Sequence, residues 1–162
     1  MLDITTKMEI KASSDAIFQA FVKSDRIGNF WFSRSSEDWE AGKIVELYFD
    51  EFDVHFPIEI LEVRPSEKIV FSWGTTDNQR VVTLKFSENP SDLTTIVEVS
   101  EKGYQDFEDM LTEPGLSHIL QQAHPEILSE LMGSKAGWTY MLTCLKAYLE
   151  NGVTSLRLGL IP

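Results

Sequence analysis

Residues 137–152, GWTYMLTCLKAYLENG, are patterned as an amphipathic helix and arrive after a long series of strand-like segments. Trp138, Met141, Leu142, Leu145 and Leu149 follow the i, i+3, i+4, i+7 spacing of one buried stripe. Lys146 and Glu150 stand one i, i+4 step apart on the solvent side. Asn151 and Gly152 supply a left-handed stop. A lone long helix at the end of such a series must cover the sheet that precedes it, which narrows the architecture to a single-faced sheet and its helix.

The preceding segments can be counted by their period of two. Leu2, Ile4, Thr6, Met8 and Ile10 alternate with polar residues and form a first strand with one wet face. Ser13 or Ser14 then caps a short helix carrying Ile17, Phe18, Phe21 and Val22 inward. A second short turn from Ser24 carries Ile27, Phe30 and Trp31, weakened by Gly28 and Asn29. From Lys43 onward the inward faces read Val45, Leu47 and Phe49, then Val54, Phe56, Ile58 and Ile60. Next come Ile69, Phe71 and Trp73, then Val82, Leu84 and Phe86, and finally Leu93, Thr95, Val97 and Val99. Pro57 favours an edge or a bulge, residues 74–79 read as a polar loop, and the connections are of turn length. The expectation is an α+β fold, a curved antiparallel sheet of about six strands wrapped on the C-terminal helix, with two short helices after the first strand.

Residues 103–136 exceed the short connection such a plan needs. They read as a helical, lid-like insertion, with Phe107, Met110, Leu111, Leu116, Ile119 and Leu120 packed over one end of the sheet. A helix near residues 124–131 would start at Pro125 and be broken from the last helix by Gly133 and Gly137. The tail, residues 153–162, carries one charge among Leu156, Leu158, Leu160 and Ile161. So apolar a tail is expected to pack on this chain or to form a homodimer with a second copy.

The 162 residues suit one domain, residues 1–162, able to bury about 70% of its unfolded surface. With 14 basic and 26 acidic residues the formal charge is −12, which disfavours nucleic acid and anionic membrane surfaces as partners. Neither a signal peptide nor a spanning segment is read, and the lone Cys144 fits a reducing compartment, so a cytoplasmic location is expected.

Strand, two helices, meander and long helix is the order of the START-like (SRPBCC, helix-grip) superfamily. Residues 10–21 (IKASSDAIFQAF), the region of Trp31, residues 63–74 (VRPSEKIVFSWG) and residues 137–152 resemble the family named for the activator of the heat-shock-protein-90 ATPase. The resemblance implies a single START-like domain with a deep cavity between the concave sheet and the C-terminal helix, which in relatives takes lipids, sterols, polyketides or plant hormones. Members also include cyclases and a co-chaperone domain, so the fold leaves function open. This chain departs at Trp31-Phe32, where relatives commonly pair two tryptophans, and in the length of the 103–136 insertion.

In that fold the candidate ligand-binding residues are Trp31, Phe49, Phe56, Ile58, Phe71, Trp73, Leu84 and Phe86, with Trp138, Met141, Leu142 and Leu145 from the helix. Large rings with a methionine make an adaptable apolar wall, and the competing reading is that they fill the core outright. No catalytic residue, cofactor or metal is assigned. His55, His118 and His124 have no placed partner, the histidines and Cys144 lack zinc-site spacing, and no phosphate loop, nucleophile elbow or dinucleotide fingerprint is present. Acidic groups such as Glu37, Asp38, Glu40, Glu108 and Asp109 read as solvated faces. The first functional reading is a non-enzymatic binder of an apolar or amphipathic small molecule. The alternatives are a protein-interaction module of the co-chaperone kind and a cyclase-like or hydrolytic enzyme using His55 or an insertion histidine.

Overall fold

In the computed structural model, residues 2–75, 78–104 and 125–159 are described. One antiparallel sheet carries the fold. Its strands are β1 (Leu2–Ile10), β2 (Arg34–Ser35), β3 (Ile44–Phe49), β4 (Val54–Arg64), β5 (Lys68–Thr75), β6 (Asn78–Asn89) and β7 (Thr94–Tyr104), in the spatial order β1-β7-β6-β5-β4-β3-β2. The α+β, helix-grip reading holds, with a seventh strand contributed by the two-residue β2.

Helix α1 (Ser14–Val22) starts at Ser13, whose hydroxyl accepts from the Ala16 amide at 3.1 Å and so satisfies an otherwise orphaned donor. A 3₁₀ turn, Ile27–Asn29, follows and buries Ile27 and Phe30. Gly28 is required there, because a Cβ would stand 2.4 Å from the Ser33 carbonyl oxygen. The long helix α2 (Pro125–Asn151) then crosses the inner face. Gly152, at φ 68°, closes it by donating to the Tyr148 carbonyl. Lys135 and Lys146 on α2 donate to the Thr5 and Glu9 carbonyls of β1, the sheet's edge strand.

The alternation holds through the central part of each long strand. Val45 and Leu47, Ile58 and Ile60, Ile69 and Phe71, Val82 and Leu84, and Val97 and Val99 are buried beneath α1 and α2. Five expectations are corrected. Helix α2 is continuous through Gly133 and Gly137, because a glycine with helical φ lowers propensity without ending a helix. Its first part occupies residues 125–136 of the expected insertion. Residues 105–124, including Phe107, Met110, Leu111, Leu116, Ile119, Leu120, His118 and His124, lie outside the described residues. The ladder between β5 and β6 runs on to the Thr75–Asn78 pair, since backbone pairing needs no apolar side chain. Leu93 is 70% exposed at φ 54°, a left-handed turn residue instead of a strand residue. Val54, at the start of β4, is also exposed. Pro57 sits where β4 pairs with β3 only, the β5 ladder beginning at Glu59, so its missing amide is tolerated.

Candidate functional site

Toward its C-terminus α2 buries Leu142, Cys144 and Leu145 in the core, and toward Ser134 it lines a space. A cavity of about 490 Å³ opens between this part of α2, the 30–32 segment, and one end of strands β3 to β7. Of the expected binding residues, Trp31, Phe49, Phe56, Trp73, Trp138 and Met141 line it. Ile58, Phe71, Leu84, Phe86, Leu142 and Leu145 do not. They are buried in the core, where Phe86 packs on Phe18 and Phe21. The inner face is therefore hollow at one end and filled at the other.

The wall is made of rings in mutual contact. Trp73 stacks on Trp138 with centroids 5.3 Å apart and planes 24° off parallel, and Trp31 lies 5.5 Å from Trp138 and 6.2 Å from Trp73. Phe32 fills the place beside Trp31 at 4.5 Å and packs edge-on against Phe49 and Phe56. Rings held this way by strand and helix cannot collapse into the void, because each is braced by its neighbours.

Polar groups interrupt this wall. Glu101, 1% exposed, presents its carboxyl group from β7 and accepts from the Trp73 indole nitrogen at 3.0 Å. A polar group in such surroundings requires a partner, and the indole provides one. Arg80, Ser134 and Tyr140 also line the cavity. At the lip, Arg157 Nη1 donates to Glu51 Oε1 at 2.6 Å, and the Ser33 hydroxyl donates to Glu51 Oε2 at 2.6 Å. The Arg157 hydrogen bond, then that from Ser33, hold the Glu51 carboxyl down to about 2.

The wall residues outside the expected set differ in how visible they were. Glu101 continues the Val97, Val99 alternation by one step, so the strand pattern extended far enough would have found it. Arg157 was visible as the single charge of an apolar tail, but nothing local says what it meets. Leu156 and Leu158 remain 41% and 49% exposed, so the described part of the tail is held by its charged residue instead of its leucines.

His55 sits on the outer face with its side chain 65% exposed and Nδ1 3.1 Å from Glu46 Oε2, apart from the cavity wall. Cys144 is buried, and that burial pushes its thiol up. Glu37 and Glu40 pair with Lys43, while Asp38 accepts from the Ser24 amide at 2.8 Å and is a loop cap as well as a solvated acid. Among the described residues no group of three or more His, Cys, Asp or Glu side chains is arranged to hold a metal ion, and no helix is long and apolar enough to cross a membrane.

The protein SSP2350 from Staphylococcus saprophyticus is 38% identical, over 94% of this chain and 95% of its own, with a TM-score of 0.74. DynU16, from the dynemicin biosynthetic locus, is 21% identical over 94% of this chain and 49% of its own, with a TM-score of 0.72. The Aha1 dimer from Colwellia psychrerythraea is 17% identical over 94% of this chain and 98% of its own, with a TM-score of 0.69. The last two likenesses are of fold. No curated protein matches the chain. The family described as Activator of Hsp90 ATPase homolog 1-like protein matches residues 11–150, and the chain belongs to that family.

Proposed function

We propose that this protein is a cytoplasmic, non-enzymatic binder of an apolar or amphipathic small molecule of lipid, sterol or polyketide-like character, held between the sheet and α2. The observation that carries the reading is the ring-lined cavity of about 490 Å³, within the range of small-molecule sites. Trp31, Trp73 and Trp138 offer flat apolar faces, and Met141 adds an adaptable surface. Glu101, Arg80, Ser134 and Tyr140 place a few polar side chains in an otherwise apolar wall, which suits a ligand with a polar end as well as an apolar body. The occurrence of DynU16 in a biosynthetic locus agrees with this direction.

The test is titration of the purified chain with N-phenyl-1-naphthylamine, followed by displacement with oleic acid, a sterol and an aromatic polyketide. Saturable probe fluorescence, displaced by at least one competitor and weakened about tenfold or more by Met141→Glu, is expected, since a charge would then be buried in the cavity wall. No saturable binding, together with native mass spectra free of any retained small molecule, would overturn the reading.

A further inference from the structure

The family match ends at residue 150, but the cavity wall does not. Gly152 turns the chain back after α2, and Arg157, Leu158 and Gly159 complete the cavity from outside the matched region. This strap, residues 152–159, is held by an unusual concentration of polar contacts. Arg157 Nε donates to the Trp31 carbonyl at 2.7 Å, Nη1 to Glu51 at 2.6 Å and Nη2 to the Ser33 hydroxyl at 3.3 Å. The Arg157 side chain is 7% exposed. All three acceptors belong to the opposite lip, and their spread suits the planar fork of arginine and not the single ammonium of lysine. A second tie joins the Tyr140 hydroxyl to the Leu156 carbonyl.

Elsewhere the strap is thinly attached. Val153, Leu156 and Leu158 are each more than a third exposed, and residues 152–156 are exposed throughout. Apart from the 50–52 turn, which holds the latch acceptor Glu51, the other described walls are different in kind. The strands and α2 are locked by ladder and helix hydrogen bonds, and the 30–32 segment is fixed by Phe30 and Phe32, buried at 1% and 2%. Opening any of these would disrupt the core itself, whereas opening the strap breaks a few hydrogen bonds and moves leucines that are already exposed. Segments with that balance are the ones proteins use as lids.

We propose that residues 152–159 form the gate of the cavity and its outer ligand-contacting wall, latched by Arg157 to Trp31, Ser33 and Glu51, with an apolar small molecule entering when the latch releases. Leu158 then supplies the strap's apolar contact to the bound molecule. That a ligand enters rests on the binding reading above; that the strap opens does not.

Two readouts separate these claims. The first is acrylamide quenching of tryptophan fluorescence in the ligand-free chain, since Trp31, Trp73 and Trp138 line the cavity while Trp39 is buried away from it. Arg157→Ala is expected to raise the quenching constant about twofold, and Glu51→Gln to raise it less, with the far-ultraviolet circular dichroism spectrum retained. The second is stopped-flow association of N-phenyl-1-naphthylamine, expected to quicken about tenfold in Arg157→Ala. Unchanged quenching in both variants overturns the gate, as does an unchanged association rate with a probe that binds. A probe that binds neither protein overturns the binding reading, and quenching alone then decides the gate.

Discussion

Glu51 is the acceptor on which the lip of the cavity turns, and its ionisation should be visible in the stability of the fold. Its carboxyl is held down to about 2 from an ordinary 4.5, first by Arg157 and then by Ser33. A folded-state value below the unfolded one means that the ionised carboxylate stabilises the native state. This contribution is complete above about pH 4.5 and is lost as the pH falls toward 2. Urea unfolding between pH 5 and 2.5 should therefore show a steeper loss for the native chain than for Glu51→Gln. Parallel profiles would refute the assignment. Gly28 permits a second test at this scale. The contact a Cβ would meet is backbone, the Ser33 carbonyl, which cannot swing aside. Gly28→Ala should cost about 1–3 kcal/mol in chemical unfolding, and a neutral result would mean that the 30–33 segment shifts freely.

At the scale of elements, α2 has two kinds of position along its length. Gly137 is exposed, has helical φ and would direct a Cβ into open space. Gly137→Ala should therefore stabilise by about 0.5–1 kcal/mol, the usual difference between alanine and glycine within a helix. A loss of stability would show that the glycine has a packing duty. One residue on, Trp138 is 4% exposed yet faces the cavity with one side of its ring. Trp138→Ala should cost about 3 kcal/mol, near the low end for a large aromatic, because the space it vacates joins a void that already exists. An unchanged unfolding midpoint would contradict its role in holding α2 to the sheet.

For the whole molecule, what matters is where the inner face is filled and where it is open. One end of the sheet is closed by α1 and the C-terminal part of α2, the other by rings and a polar latch. The latch turns Arg157 inward and leaves Val153 and Leu156 outward as an apolar edge. If two copies pair through that edge, as closed two-fold dimers commonly do, light scattering should give twice the chain mass, and Val153→Ser with Leu156→Ser should halve it. A single-chain mass for both proteins would dismiss the pairing.

The period of two along the strands and the i, i+3, i+4 stripe of the last helix sufficed for the α+β class, the antiparallel order and the inward-facing set to which Phe71, Leu84 and Leu142 belong, though not for placing those three in the core instead of the cavity wall. Those features depend on each residue's own neighbours and on which side of an element it faces. Glu101 was within reach of the same rule and needed only one more step along β7. What tertiary structure alone decided was the division of the inner face into core and cavity, because that depends on where α2, the 30–32 segment and the chain after Gly152 meet the sheet. It also decided the meeting of Trp31, Ser33, Glu51 and Arg157, which lie as many as 126 residues apart in the chain. A charge in an apolar tail announces that it needs partners, but a hydrogen bond over that separation is specified only when the sheet, the helix and the turn at Gly152 have brought both sides of the lip together.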